Sequence, residues 1–344
     1  MSPNRAVRRV LAAVVVLAAA LGIAAVSGGG AAQAAASGVD HVEGNNPTLA
    51  QKILGYNAWV RDHDGPPDVL LLGSSRAVAL DPTLIKRVTG KTAYNAGITS
   101  AGARELLAMG SYADMRSPGR IPHLVVMLDL ESFDNRRPNT RVVDYLARED
   151  ATYAACPTTS DCRSASLQAA HLIANDAVRR QRGAAVPYTT TQRADGKQIN
   201  SPQAKLVAAG VNMNSVRNSR IAARIASYRP GAFDHLYPIP SGLFAQLLQR
   251  ANAAGDQPTL ALTALHPDCL ERCGAAGWND RHSEVLAMLD QLQVTYDFSV
   301  LDLSVPSTWR GSGSDFYDEI HLRPVGASRV VHYLALQGAF TRPG

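Results

Sequence analysis

The sequence predicts an α/β protein with a central parallel sheet sandwiched between helices, on three observations. Apolar runs without charge at 69–73, 124–128 and 258–265 have strand length and lack the alternation of a half-exposed strand, which marks strands buried on both faces. Segments with helical spacing separate these runs, so the first half reads βαβαβ, the order that builds a parallel sheet covered on both sides. A hydrophobic content of 46% against 18% charged, over 344 residues, supplies a core of the size such a three-layer domain needs.

The chain begins with Arg5, Arg8 and Arg9 ahead of an apolar run over 10–26, and Ala32-Gln33-Ala34 offers small residues at the spacing signal peptidase cuts. The run is longer than a typical signal core and shorter than a comfortable membrane span. Residues 1–36 are therefore read as a signal peptide or a retained N-terminal membrane anchor, and the protein as secreted or attached to the cell envelope. Those three arginines are the only charges in the first 34 residues, and taking them from the net +5 leaves +2. A nearly neutral body with scattered arginines argues against a nucleic-acid partner. Four cysteines in an oxidising compartment predict disulfides; three connectivities exist, and the local pairs Cys156–Cys162 and Cys269–Cys273 are preferred. Zinc is disfavoured, since no CxxC pair or histidine at ligand spacing accompanies them, and no metal is expected.

Residues 37–67 read as a polar linker and a short amphipathic helix over 49–59, carrying Leu49, Ile53, Leu54, Tyr56 and Trp59. Asp62-His63-Asp64 runs into Gly65-Pro66-Pro67 and is a solvated turn rather than a metal cluster. The α/β domain then spans 68–340. A strand at 69–73 precedes a helix that starts at Asp81-Pro82 and stops at Gly90, followed by a strand over 92–96, a helix over 103–115 and a strand over 121–130. Residues 131–256 lack a buried-strand signal but carry helical patterns at 167–182, 204–226 and 243–254. This is far more than one parallel crossover requires, and it is read as either a helical insertion capping the sheet edge and shaping substrate access, or a second lobe. A fourth strand (258–265), a helix (278–292), a fifth strand (294–303), a Gly/Ser loop (304–316) and a closing helix (324–336) complete the pattern.

Ser75 ends the first strand, at the sheet edge where open α/β proteins bind ligands. Asp318 and His321 stand three residues apart on a turn before the last helix. Acyl-transfer chemistry by serine needs a hydroxyl, a base within reach and a group orienting the base, and these three residues supply one of each. His266 follows the fourth strand on the same edge, as a substrate contact or as a cap on the loop holding Cys269 and Cys273. Arg76 either holds an anionic substrate group or pairs with an Asp or Glu on the following helix. The Gly-x-Ser-x-Gly elbow and the His-Glu-x-x-His motif are both absent.

The arrangement resembles the SGNH (GDSL-like) hydrolase superfamily. Gly73-Ser74-Ser75 is similar to its first block, Gly-Asp-Ser, with Ser74 replacing the aspartate, and Asp318 and His321 match its last block, Asp-x-x-His. The Gly-Ser-Ser-Arg-Ala form, with Tyr94-Asn95-Ala96-Gly97 and Leu128 to Phe133, looks like extracytoplasmic members linked to acylation of cell-surface polymers. The resemblance implies a flavodoxin-like three-layer fold with a helical insertion after strand three. It also implies a serine esterase or acyltransferase without cofactor or metal, acting on an acylated small molecule or an envelope polysaccharide. The family's oxyanion glycine aligns with Ser100, with Gly97 and Gly102 nearby. Its oxyanion asparagine aligns with Glu131, and an ionised carboxylate cannot donate to an oxyanion. Either Asn95 or Asn135 substitutes, or the enzyme is slow, or the chain binds without catalysing.

Overall fold

The structure, a computed structural model, describes residues 47–117, 120–134, 192–199 and 201–342. The expected signal or anchor, the linker to residue 46, the helix at 167–182, Asn135, Cys156 and Cys162 lie outside the described residues. No helix among the described residues is long and apolar enough to cross a membrane.

Five parallel strands form one sheet in the order β2-β1-β3-β4-β5: β1 Val69–Gly73, β2 Ala93–Asn95, β3 His123–Leu128, β4 Thr259–Leu262 and β5 Ser299–Asp302. All residues of β1 to β4 are buried, as charge-free runs require when both faces are covered. Side chains alternate between two cores. Leu70, Leu72, Leu124, Val126, Leu128, Leu260 and Leu262 point into one, while Val69, Leu71, Val125, Met127 and Ala261 point into the other.

The first core is covered by α1 (Pro47–Asp62), α3 (Ala103–Arg116) and α6 (Pro238–Ala253). The second is covered by α2 (Pro82–Thr89) and α9 (Pro324–Leu336). Helix α1 is thus a member of the layer: Leu49, Ile53, Tyr56 and Val60 fall on one stripe and are buried. Helix α2 begins where the sequence places it, with the Asp81 carboxylate accepting from Thr83 N at 3.0 Å, and ends at Gly90 in the left-handed conformation.

In the insertion, the single helix expected over 204–226 is two, α4 (Pro202–Ala208) and α5 (Met213–Ser227). Gly210 at φ +72° breaks the first, and the Asn212 side chain caps the second by accepting from Asn214 N and Ser215 N. Helix α7 (Pro267–Cys273), absent from the sequence reading, precedes α8 (Asn279–Leu292).

Sheet order reverses between β1 and β3, both of which deliver their C-terminal loops to one crevice. This is the position at which doubly wound sheets bind ligands.

Candidate active site

Gly73 sets the geometry after β1. Its φ of +148° is one that side chains avoid, and a Cβ there would lie 2.8 Å from both Ala77 Cβ and Met127 O. Only glycine lets the chain turn this tightly against β3, and the turn presents Ser75 half-buried at the crevice.

The Ser75 Oγ lies 2.9 Å from His321 Nε2. On the far side of the ring, His321 Nδ1 is 2.9 Å and 2.8 Å from the two Asp318 oxygens. The Nδ1 proton therefore faces the carboxylate, leaving Nε2 free to accept the Ser75 hydroxyl proton. Residues 246 apart in sequence are joined because β1 and the segment before α9 end at the same sheet edge.

Asp318 is fully buried and accepts further bonds from Ile320 N at 3.1 Å, His321 N at 2.8 Å and Arg220 Nη1 at 2.5 Å. Burial alone pushes its carboxyl up, but the His321 ring and the two backbone N–H groups outweigh that and hold it down at about 2.

Two partners of this chain come from the insertion and carry no sequence signal. Arg220 lies on α5, and Gln203, at the start of α4, brings its side-chain amide within 3.0 Å of His321 Nδ1. The atom that approaches is the Gln203 amide nitrogen, so with the ring proton directed at Asp318 this amide flanks the ring without accepting that proton.

The oxyanion expectations are corrected at three positions. Asn95 is buried, and its NH2 donates to Ala77 O at 2.9 Å and Leu80 O at 2.8 Å, so it braces the loop after β1 and has no donor left. The Gly97 N–H is spent on Asn95 Oδ1 at 2.9 Å, and the Gly102 N–H on Glu105 Oε2 at 2.9 Å. Ser100, at φ +60°, lines the crevice with Ser75, and the backbone N–H groups of both make no hydrogen bond among the described residues. Unpaired N–H groups of this kind are what a developing oxyanion requires.

Glu131 is a structural hub. Arg76 Nη2 donates to its Oε2 at 2.9 Å, while Tyr228 OH, at 2.8 Å, and Arg224 Nη1 donate to Oε1. Arg76 also donates to Thr263 Oγ1 at 2.7 Å and lies 3.5 Å from Asp129 Oδ1, and Arg224 reaches Glu319 at 3.2 Å. This buried set ties the insertion helix α5 to the ends of β1, β3 and β4. Arg76 is accordingly a clamp, and its carboxylate partners come from the segment after β3, not from the following helix, which carries none.

His266 is buried away from the crevice. Its Nδ1 accepts from Asp268 N at 3.1 Å, capping α7, and its ring packs edge-on to Phe316 with centroids 5.6 Å apart. Burial, and then the nearby Arg217, lower its pKa. The capping alternative is the one realised. Cys269 and Cys273 stand one turn apart on α7 with Sγ atoms 2.7 Å apart, as free thiols: the expected neighbours meet without a covalent bond. No cluster of candidate metal ligands occurs among the described residues.

Two arms open from Ser75 and His321. One, of about 710 Å³, is lined by Ser74, Thr99, Ser100, Asp134, Gln198 and Arg220 among others, and is the more polar of the two. The second, of about 410 Å³, runs past Val78, Ala79, Ile199, Ala204, Leu322 and Pro324. One wall of each comes from a hairpin at 192–198, held to edge strand β2 by Asn95 N donating to Asp195 O at 2.9 Å. Lys52, buried on α1, ties the same hairpin down, its Nζ donating to Asn95 O at 2.8 Å and to Gly196 O. Burial lowers the Lys52 pKa to about 7 against the opposing pull of Asp195.

Comparison with known proteins finds no matching family model and no significant match to a curated protein. The geometry therefore carries the functional reading.

Proposed function

We propose that this chain is an exported serine esterase or O-acyltransferase of the SGNH type, acting on an acylated small molecule or an envelope polysaccharide. The observation that carries this reading is the unbroken Ser75–His321–Asp318 hydrogen-bond chain at the mouth of the crevice. Ser75 Oγ attacks the ester carbonyl and passes its proton to His321 Nε2, while Asp318 stabilises the imidazolium that forms. The tetrahedral oxyanion takes the N–H groups of Ser75 and Ser100. It collapses by expelling the alcohol, which leaves with the proton from His321. Water or a sugar hydroxyl then gives a proton to His321, attacks the acyl-Ser75 carbonyl and regenerates the serine. Exclusion of water from the crevice decides between hydrolysis and transfer.

A second reading, a glycan- or partner-binding protein that keeps the fold without the chemistry, draws on Glu131 and Asn95. The first stands where the superfamily has its donor asparagine, and the amide of the second is spent inside the fold.

Covalent labelling with a fluorophosphonate, read by intact mass, separates the two. One adduct on the wild type that is lost in both Ser75→Ala and His321→Ala is the expected result. A folded wild type that takes no adduct but retains glycan would favour the binding protein.

A further inference from the structure

The two arms differ in chemistry, and the nucleophile sits where they meet. The more polar arm presents hydroxyls, an amide, a carboxylate and the Arg220 guanidinium. In the other, Ala79 lies four residues after the nucleophile and Leu322 directly after the base, Val78 is shared with the first arm, and Ile199 and Ala204 close the space from the insertion. Two cations, Arg193 and Lys197, also stand along this arm, but both are paired: Arg193 with Asp81 and Asp195, and Lys197 with Asp81 at 2.6 Å. Their charge is answered within the fold, so the arm offers a ligand mainly apolar contact.

From this we infer that the 410 Å³ arm is an acyl-chain site, and that the protein selects esters of apolar acids longer than acetate, with the alcohol half in the more polar arm. The inference rests on the ester reading above. An acetyl group on Ser75 would leave most of the arm without partner atoms, forfeiting the contacts its apolar walls can make. Each added methylene that enters gains about fourfold in transition-state binding until the arm is full.

The test is the rate of Ser75-dependent hydrolysis of p-nitrophenyl acetate, butyrate, hexanoate and octanoate by the purified protein, with Ser75→Ala as the blank. The fluorophosphonate adduct is measured on the same samples. The expected result is kcat/KM for hexanoate about tenfold or more above acetate, falling to about equality in Ala79→Trp, which fills the arm from the β1 side. Ala204→Trp fills it from the insertion and repeats the test independently, with circular dichroism confirming that each variant folds. A flat or falling chain-length series with an intact Ser75 adduct would overturn the acyl site and leave the esterase standing. Neither turnover nor adduct would overturn both.

Discussion

Lys52→Met should remove a pH dependence of stability that can be worked out in advance. In the folded protein Lys52 is buried and its pKa falls to about 7, against 10.5 for an ordinary lysine. Below pH 7 folded and unfolded states both hold the proton, and Lys52 contributes no slope. Between pH 7 and 10.5 the folded state has released it while the unfolded state still binds it, so stability rises with pH. Above 10.5 both states are neutral and the curve flattens. At about 1.4 kcal/mol per pH unit, the whole span amounts to about 5 kcal/mol, an upper figure because denatured chains keep some structure. Urea unfolding of wild type and Lys52→Met at pH 6, 8 and 9.5 reads the difference directly. The wild type should gain about 2–3 kcal/mol relative to the variant across that interval. Parallel curves would refute the reasoning, since they would mean that Asn95 O and Gly196 O hold the lysine charged throughout. The site gives this weight, because the same ammonium pins the hairpin that walls both arms of the crevice.

Glu131→Gln leaves Arg76 and Arg224 buried beside a neutral amide and should cost about 3–5 kcal/mol in urea unfolding; a loss below about 1 kcal/mol would show that the hub relaxes around the change. Asp318→Asn removes the carboxylate that fixes the His321 tautomer, and Ser75-dependent ester turnover should fall about 10³–10⁴-fold, an outcome checked by kcat/KM on a short-chain ester. Gly73→Ala drives a Cβ against Ala77 and Met127 at an unfavourable φ and should cost about 2 kcal/mol or more. An unchanged melting temperature would mean that the loop after β1 has room to shift.

The strand runs, the sandwich class and the serine at the end of β1 are legible in sequence because they follow from local rules. A segment buried on both faces must be apolar throughout, and a residue that ends such a strand arrives at the ligand edge. The Asp318–His321 pair is legible for a similar reason, since three residues on a turn fix its internal geometry. Pairing that pair with Ser75 needed only the expectation that both segments reach the same edge.

What tertiary structure alone decided is how charges and amides are spent. Asn95, Gly97, His266 and Arg76 carry functional groups suited to a site, yet each is committed to a fold contact whose partner no local pattern announces. Glu131 reads as a defect in an oxyanion site when taken alone. It becomes a necessary counter-charge once α5 brings Arg224 from 93 residues away. Arg220, Gln203 and the buried Lys52 were invisible because exposure is a property of packing. A polar side chain in a helical pattern looks solvated until another element covers it, and its free energy then depends on the partner it finds there.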